Sequence, residues 1–503
     1  MAKTEQNDGY WNATAASPNF PTLAGDIEVD IAIVGAGIVG VTTARMLKNK
    51  GQTVALIEAG RPGRQATGKS TAKVTSQHGL TYQVLEQKFG RHCAGLYAEA
   101  QESGLRTILG LIARHGIDCD VEARPAWVYT CEEAHVAALE KEADITRLLG
   151  LPSSLSHTTD LPFDVLAALR FDQQAQLHPV KYLSGLAQTI PGEGCHVFQN
   201  SRVTGWEPTR VETAQGSVKA RHVVMATHLP LGTVGGYYTR AFPHAEPVIA
   251  ARLSQVPDGM YVSVEQPRHS LRTHRNAAGE VYAIASGGRF KPGDTEQERH
   301  CMQDLEHWLG THFATGPVEH RWINEDYASV DSAPYVGWSS SIGGSYLVAT
   351  GFAAWGISNG TAAAMILADL ATGQDHRWLE LFDAKRVKPV AGGREFLKES
   401  AEIASHLVGG YLSRKPGSCE ELASGEAAIM KIDGHNTAVY RDTGGALHAV
   451  SAVCPHLGCL VGWNETDRTW DCPCHGSRFD LNGEVIHGPA TQPLAGRHVD
   501  KPA

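Results

Sequence analysis

The residues best suited to chemistry lie near the C-terminus of this 503-residue chain. A Cys-x-His pair, Cys454 and His456, is followed after fifteen intervening residues by a Cys-x-x-His pair, Cys472 and His475. Two thiolates and two imidazoles at these spacings suit a 2Fe–2S centre in which two cysteines hold one iron and two histidines hold the other. The same atom types also hold structural zinc in a tetrahedral site. Because six Cys and His side chains compete for four positions and a glycine flanks each loop, the pattern favours the cluster.

The segments CPHLGC and CPCHGS nearly reproduce the motif CTHLGC…CPCHGS of cytochrome bc-type Rieske proteins, so this part of the chain resembles a Rieske domain. The resemblance implies a disulfide between Cys459 and Cys474, which links the two cluster loops in those proteins. Histidine ligands raise the cluster potential to roughly −150 to +300 mV, against about −400 mV for all-cysteine ferredoxins. Alternating segments from Ala427 predict antiparallel strands that lead into the first loop. A one-electron carrier of this kind requires a source of electrons.

Length and composition limit the class of protein. A chain of this length should hold two or three domains, and a net charge of −10 implies no nucleic-acid partner. The N-terminus is polar and lacks the apolar run of a signal peptide, and no apolar stretch reaches the ~18–20 residues of a transmembrane helix. We therefore expect a cytoplasmic protein without a transmembrane segment. The cysteines outside the cluster loops show no ligand spacing and are expected to be free thiols.

The N-terminal part carries a dinucleotide-binding pattern. The apolar strand Val29–Val34 ends in GAGIVG, and a helical stretch and a second strand ending at Glu58 follow. Gly35 permits the tight turn, Gly37 lets the backbone approach a pyrophosphate, and Gly40 lets the helix pack closely on the strand. Glu58 is placed to accept a hydrogen bond from a ribose hydroxyl. A glycine turn in another α/β protein is the alternative, but the ordered strand, helix and acid favour the nucleotide.

Only one such fingerprint is present, which favours FAD over the two nucleotide sites of an NADH-dependent flavoprotein reductase. Roughly residues 10 to 385 resemble the D-amino-acid oxidase superfamily of FAD enzymes, through the fingerprint, ATGKSTAKVTSQHG, HVVMATH and ATGFAAWGISNG. His228 departs from the Gly that usually ends the third of these segments. The resemblance implies that FAD is lined by Gly35, Gly37, Ile38, Gly40, Glu58, Ala59, Thr67, Gly68, Val203, Thr227, Gly351 and Gly356.

The predicted fold class is an α/β FAD-binding domain (Rossmann-like, of glutathione-reductase type) with an α+β substrate domain and a C-terminal all-β Rieske domain. The predicted boundaries are 1–390 for the flavoprotein, 391–415 for a linker helix and 416–503 for the Rieske domain. Within the flavoprotein, FAD-binding parts are expected at about 28–80, 150–234 and 321–385, and substrate-binding parts at about 81–149 and 235–320.

The segment Arg321–Gly337 indicates which class of substrate the protein binds. Amino-acid-oxidising relatives often carry an Arg here that clamps the substrate carboxylate, but the corresponding position is Asp326. A carboxylate there favours an ammonium group, so we expect an amine rather than a simple α-amino acid, unless Asp326 merely pairs with a surface Arg or Lys. Arg252, His274 and Arg289, on the predicted sheet, are candidates to restore carboxylate binding, although an ordinary exposed side chain is the simpler interpretation of each.

Three further residues are candidates for the pocket. Phe352 and Trp355, on the loop expected under the flavin, could hold an alkylammonium by cation–π attraction or could simply pack. His78 follows the flavin loop and is a candidate proton acceptor, with a satisfied loop histidine as the simpler interpretation.

These features together predict an FAD-dependent dehydrogenase that oxidises a C–N bond of a small amine or amino acid. Its electrons would pass through the cluster to an external acceptor, a protein or a quinone-like molecule. An electron-transfer protein that serves a partner enzyme, without a small substrate of its own, is the alternative. A Rieske oxygenase is disfavoured because little chain follows the cluster to hold a mononuclear iron.

Overall fold

The computed structural model describes residues 9–339, 344–388, 392–393, 395–399, 401 and 419–498. Its helices are α1 (Gly9–Thr14), α2 (Ile38–Asn49), α3 (Ala66–Lys69), α4 (Thr81–Phe89), α5 (Arg91–His115), α6 (Glu133–Leu148), α7 (Pro179–Gln188), α8 (Thr295–His312), α9 (Gly356–Ala371) and α10 (Leu379–Phe382). Its first strands are β1 (Ile27–Val34), β2 (Val54–Ile57), β3 (Lys73–Val74), β4 (Glu122–Ala123), β5 (Ala126–Thr130), β6 (Ser153–Ser156), β7 (Ala167–Phe171), β8 (Ala175–Gln176), β9 (His196–Phe198) and β10 (Val203–Glu207). They are followed by β11 (Arg210–Thr213), β12 (Gly216–Met225), β13 (Ala241–Leu253), β14 (Met260–Ser263), β15 (His269–Arg275), β16 (Val281–Gly287), β17 (Thr315–Ser329), β18 (Tyr335–Trp338) and β19 (Leu347–Thr350). The C-terminal strands are β20 (Ala427–Ile432), β21 (His435–Arg441), β22 (Leu447–Ser451), β23 (Gly462–Asn464), β24 (Thr469–Asp471), β25 (Arg478–Phe479) and β26 (Val485–His487).

The first sheet carries the glycine-rich fingerprint. Its central strand, β1, is parallel to β2 on one side and to β12 on the other. Beyond these, β9 pairs with β2 and β19 pairs with β12, both in parallel, while β10, β11 and β18 add antiparallel edges. β2 is apolar throughout and β1 over most of its length, because both faces of the sheet are buried. The carboxyl ends of the parallel strands therefore open onto a cleft, as expected of an open α/β sheet.

The second sheet stands over that cleft. Its strand order is β17-β13-β16-β15-β14-β5-β7-β6, with β5 and β14 parallel and the other pairs antiparallel. Helix α8 covers one face through apolar residues such as Leu305 and Leu309. The long strand β17 reaches the cleft, which it lines with Asn324, Glu325 and Asp326.

The C-terminal domain consists of two small antiparallel sheets, β20-β21-β22 and β23-β24-β25-β26. It packs against the second sheet and α8. The Thr295 hydroxyl donates to the Trp463 carbonyl at 2.6 Å, and the backbone of Gly293 lies against that of Gly462. The two parts of the chain thus form a continuous contact.

The predicted fold class is confirmed, and the differences from the sequence-based expectations are local. The sequence from Leu80 to Leu111 predicts helical structure, and the structure has two helices there, α4 and α5, because Gly90 has a φ of +85° between them. The sequence predicts a helix from Thr361 to Leu370, but α9 already begins at Gly356. Its internal glycine, Gly360, serves close packing, because a Cβ there would lie 2.6 Å from Ile38 Cγ2 of α2. The predicted linker helix, 391–415, lies largely outside the described residues, and the domain boundaries stay predictions.

Candidate functional site

The glycine-rich fingerprint folds into a turn between β1 and α2 that larger residues would not fit. Gly35 has a φ of +99°, and a Cβ at this position would lie 2.5 Å from the Ala226 carbonyl oxygen. A Cβ at Gly40 would overlap the Gly35 carbonyl oxygen, so glycine lets α2 pack against the turn. The N-terminus of α2 is consequently open to the cleft, in the position where helices bind anions.

An elongated cleft opens beside this turn, with an empty volume of about 1460 Å³ that includes its open mouth. Of the residues predicted to contact FAD, it is lined by Gly35, Gly37, Ile38, Glu58, Ala59, Thr67, Val203, Thr227 and Gly356. Gly40, Gly68 and Gly351 lie behind the lining, where Gly40 and Gly68 permit close backbone approach and Gly351 has a φ of +82°. The contact of each residue with FAD stays a prediction.

Glu58 stands at the end of β2 beside the turn. Its Oε2 accepts from the Ala36 N–H and its Oε1 from the Gly60 N–H, both at 2.8 Å. Burial raises the pKa of this carboxyl above its ordinary value, although the N–H donors and Arg202 oppose the shift. The Glu58 carboxyl, fixed by these N–H groups, suits a ribose hydroxyl, and the open N-terminus of α2 beside it suits the pyrophosphate of a dinucleotide. The residues present fit FAD.

Two loops of the C-terminal domain bring the four predicted cluster ligands together. The first loop, between β22 and β23, holds Cys454 and His456, and the second, between β24 and β25, holds Cys472 and His475. Each loop is closed by a backbone hydrogen bond of 2.8 Å, from Cys454 N–H to the Cys459 carbonyl and from Cys472 N–H to the Ser477 carbonyl. A disulfide joins Cys459 to Cys474 and so ties one loop to the other.

The donor set of these loops fits a Rieske cluster. Both free thiols are buried, and the rings of His456 and His475 have centroids 5.0 Å apart. His456 Nε2 donates to the Gly232 carbonyl at 3.0 Å, which leaves Nδ1 buried and without a hydrogen-bond partner in the described part of the chain. An iron at Nδ1 would satisfy this atom. Burial lowers the pKa of His475 to about 3, so its imidazole is in the neutral form that binds metals.

The C-terminal domain also forms part of the wall of the cleft. Ile486, His487 and Gly488 line the cleft together with residues of the first two sheets. The ring of His487 has its centroid 5.3 Å from that of His228, and its Nδ1 lies 3.3 Å from the Gly476 carbonyl oxygen. Gly476 directly follows the cluster ligand His475.

Tyr327 joins the same wall to a cluster ligand. Its hydroxyl donates to the His475 carbonyl at 2.9 Å, and its ring centroid lies 4.7 Å from that of His228, which lines the cleft. Burial raises the pKa of Tyr327 well above its ordinary value, so the phenol stays protonated and keeps donating. The cleft and the cluster loops are therefore connected by direct, buried contacts.

Asp326 lines the cleft, but its charge is already engaged. Its Oδ1 accepts from His228 Nε2 at 2.8 Å and from the Tyr327 N–H at 2.7 Å, and its Oδ2 accepts from the Ala354 N–H. The alternative of a surface pair with Arg or Lys is therefore wrong. His228 adopts a φ of +68°, which accounts for glycine at this place in the resembling family. Its imidazole holds the Asp326 carboxylate against the loop before α9.

The aromatic candidates have different positions. Phe352 and Trp355 line the cleft. His78 is buried behind Trp355, with ring centroids 4.6 Å apart, and hydrogen-bonds the Tyr97 hydroxyl at 2.7 Å. Burial lowers the pKa of His78 to about 3, so it is a satisfied, neutral loop histidine.

The candidate carboxylate-binding residues on the second sheet do not line the cleft. Arg252 is half exposed and pairs with Glu280 and Glu319, so its assignment to the pocket is wrong: its strand position turns it to solvent. His274 is buried against Asp120 and Tyr10. Arg289 pairs with Glu246 and lines a smaller pocket of about 250 Å³, which shares Asn324, Asp326 and Ala354 with the cleft.

Sequence reasoning missed two polar residues of the cleft. Lys73, on β3, is 8% exposed, and Asn324, on β17, has a buried Oδ1 without a hydrogen-bond donor among the described residues. The signal for Lys73 was a charged residue between Ala72 and Val74 in the segment next to the flavin loop. Asn324 gave no signal, because alternate residues of β17 differ in exposure only once the strand is placed in the sheet.

Comparison with known proteins agrees with this geometry. Residues 30–370 match the family of FAD dependent oxidoreductases (DAO), and residues 416–498 match the Rieske 2Fe-2S domain. This chain belongs to the DAO family of FAD-dependent oxidoreductases. Members of that family bind FAD and Rieske domains bind a 2Fe–2S cluster, so this DAO-family protein carries both cofactors.

Relatives of this DAO-family protein include one with the same two-part organisation. The protein YhfW of Bacillus subtilis (strain 168), which carries the name of a Rieske 2Fe-2S iron-sulfur protein, is 33% identical over 496 residues and 97% of each chain is covered. Gamma-glutamylputrescine oxidoreductase of Escherichia coli (strain K12) is 28% identical over 240 residues, which are 46% of this chain and 56% of the relative. The structure of L-proline dehydrogenase from P. horikoshii covers 73% of this chain and 98% of its own, with a TM-score of 0.57 and 17% identity, and shows a shared fold.

None of the helices in the described ranges is both long and apolar enough to cross a bilayer.

Proposed function

We propose that this protein is an FAD-dependent dehydrogenase that oxidises a C–N bond of a small amine or amino acid and delivers the electrons through its Rieske centre to an external acceptor. The observation that carries the proposal is the wall shared by the cleft and the cluster loops. Bound FAD supplies hydride acceptance, and the bound cluster supplies one-electron transfer. The C–N bond as donor is supported by relatives of this family, whose names include a gamma-glutamylputrescine oxidoreductase and an L-proline dehydrogenase.

The protein's own contribution to this transfer is to hold the cleft and the cluster loops at a fixed separation through buried contacts. Tyr327 is buried and reaches the carbonyl of one cluster ligand, while His487 fills the wall between the cleft and the second cluster loop. Because both contacts lie within one chain, the acceptor is present at high effective concentration whenever an electron leaves the cleft. Buried contacts also keep water from the path.

The exit of electrons is supported by the first cluster loop. Leu457, which directly follows the ligand His456, is 45% exposed, although the ligand itself is half-buried. This apolar side chain reaches the surface beside the cluster. An external acceptor, either a protein or a quinone-like molecule, can approach the cluster there without entering the cleft.

The test is an anaerobic screen of amines, N-methyl amines and amino acids against the holoenzyme. We expect one class to bleach the flavin absorption band while the electron-spin signal of the reduced cluster appears in the same samples. Cys472→Ser, which lacks one iron ligand, should still lose its flavin band with substrate but give no cluster signal and no reduction of an added acceptor. Rapid reoxidation of the flavin by air, equal in both proteins and without a cluster signal during turnover, would contradict the proposal.

Tyr327→Phe isolates the contact between the two sites. The variant removes the hydroxyl that reaches His475 and keeps the ring beside His228. We expect unchanged flavin reduction and slower appearance of the cluster signal. Tyr237→Phe is the matched control, because that buried hydroxyl donates to the Ala384 carbonyl at 3.0 Å, a residue that does not line the cleft. Equal cluster reduction rates in both variants would remove Tyr327 from the path.

A further inference from the structure

Lys73 is a buried basic side chain in the cleft that has no carboxylate partner among the described residues. Its Nζ donates to the Ser270 hydroxyl and lies 3.4 Å from the Thr71 hydroxyl, and no carboxylate lies within ion-pair distance in the described part of the chain. A buried ammonium is costly unless it is paired. Such a group at the wall of a substrate cleft is a candidate ligand site.

The groups around Lys73 add positive charge. Arg272, on β15 of the second sheet, is fully buried and donates to the Ala72 and Leu177 carbonyls, while its Nη2 has no hydrogen-bond partner among the described residues. Arg268 is also close, but it is paired with Glu246 at 2.7 Å, a carboxylate that Arg289 shares. The local field therefore favours an anion.

The acids of the same cleft do not cancel this field. Asp326 is held by His228 and two backbone N–H groups, as described above. Burial raises the pKa of Glu325 to about 8, so this carboxyl is largely uncharged at pH 7. Arg61, Arg64 and Arg202 also line the cleft, on the side of the glycine-rich turn and Glu58, whereas Lys73 is the lysine of the lining and hydrogen-bonds to the second sheet, through Ser270.

Asn324 supplies the complementary atom. Its Oδ1 is buried and lacks a donor among the described residues, and it lines both the cleft and the adjoining smaller pocket. A substrate amine that donates an N–H would satisfy this oxygen, and the hydrogen bond requires no further charged residue.

From these contacts we propose that Lys73 and Asn324 are the substrate-positioning residues and that the substrate carries a carboxylate next to its amine. Lys73 Nζ pairs with the carboxylate, and Asn324 Oδ1 accepts a hydrogen bond from the amine N–H. The inference rests on the proposed oxidation of a C–N bond and narrows its substrate class to amino acids, including N-substituted ones. It replaces the preference for a plain amine that Asp326 had indicated.

The first test uses matched pairs of donors that differ by one carboxylate: glycine and methylamine, sarcosine and dimethylamine, proline and pyrrolidine. In anaerobic flavin reduction, the wild-type holoenzyme should favour the carboxylate member of at least one pair. Lys73→Met should lose about ten- to a hundredfold of that preference, the amount expected for one charge-assisted hydrogen bond, and Lys73→Arg should retain part of it. Lys88→Met is the control, because Lys88 also contacts a serine hydroxyl, that of Ser332 at 2.8 Å, away from the cleft.

The second test needs no turnover. Acetate, propionate and benzoate are titrated into the oxidised holoenzyme, and the shift of the flavin absorption band is recorded. Burial lowers the pKa of Lys73 to about 7, with Arg272 and Arg268 lowering it further and Glu246 opposing them. Carboxylate binding should therefore weaken as the pH rises above about 7 in the wild type, and should be weak and independent of pH in Lys73→Met.

The two tests separate the possible failures. If no donor of either kind reduces the flavin, the proposed C–N oxidation fails, and the carboxylate titration still decides the role of Lys73. If carboxylates perturb the flavin equally in wild type and Lys73→Met, or if amines reduce the flavin as fast as their carboxylate partners in both, the assignment of Lys73 is overturned. Lys73→Met removes a buried charge, so the variant should fold at least as well as the wild type.

Discussion

Asp467 should hold the Rieske domain onto the flavoprotein more strongly than any exposed contact between them. Its carboxylate accepts from Lys69, on the loop beside the cofactor, from Arg478 at 2.9 Å and from the Ile323 N–H at 3.2 Å. These three charged side chains are nearly buried. Burial raises the pKa of Asp467, but Lys69 and Arg478 outweigh it, so the pKa stays below its ordinary value and the carboxylate is charged.

The substitution Asp467→Asn leaves the buried Lys69 without its carboxylate partner across the interface, while Arg478 keeps its pair with Asp471 at 3.1 Å. Removal of one partner from a buried ion pair costs about 3–5 kcal/mol, which is a shift of about a hundred- to a few-thousandfold in the docking equilibrium. The assay is hydrogen exchange of the Ile323 amide, which donates to Asp467 itself. Exchange of residues 321–327 should accelerate by about a hundredfold or more, and the cluster should be reduced more slowly once the flavin has been reduced.

Glu465→Gln is the control within the same interface. Glu465 pairs with Arg299, but their side chains are 48% and 61% exposed, so the loss should be about 0–1 kcal/mol. Equal exchange rates at residues 321–327 in the two variants, or no acceleration in Asp467→Asn, would refute the reasoning that the buried network holds the domains together.

Further predictions concern the cofactors and the effect of pH. Gly40→Ala should abolish FAD retention, measured as flavin absorbance per polypeptide, because the new Cβ overlaps the Gly35 carbonyl oxygen; Gly110→Ala, with no atom near its added Cβ, should keep the flavin, and retention in both would contradict the prediction. His456→Ala should lose the cluster, measured as iron and acid-labile sulfide, but keep the flavin band, whereas loss of both would show that the two sites do not load independently. Glu298 accepts from the Thr466 N–H at 2.8 Å, and burial raises its pKa from 4.5 to about 7. A carboxyl with a raised pKa holds its proton more tightly when folded, so stability should fall by about 3 kcal/mol between pH 4.5 and 7, and denaturant unfolding of Glu298→Gln should show less of this loss.

The parts of the structure that short spacing determines could be predicted. The fingerprint, its flanking strand and helix and the cluster loops all follow from residues within about twenty positions of one another. The sequence between Pro247 and Tyr282 also predicts several short strands separated by Pro, Gly and Asn, and the structure has β13 to β16 there, because strand patterns and turn residues act locally.

Contacts between distant parts of the chain could not be predicted. Lys69 and Asp467 are 398 positions apart, and nothing in either neighbourhood indicates a buried ion pair. The direction of Arg252 and the burial of Asn324 depend on how two sheets are placed relative to each other. The partner of Asp326 could not be predicted for the same reason: His228 lies 98 positions away, in the segment after β12. Charge in a motif indicates chemistry only when its partners are known.

The contribution of Ile486, His487 and Gly488 to the lining of the cleft has a consequence for the retention of the nucleotide. A flavoprotein truncated before residue 416 would keep its glycine-rich fingerprint, but one side of the cleft that binds the dinucleotide would be open to solvent. The docked C-terminal domain should therefore slow the release of the nucleotide, whether or not the cluster has been assembled. A flavoprotein without that domain should lose its flavin faster than the full-length chain.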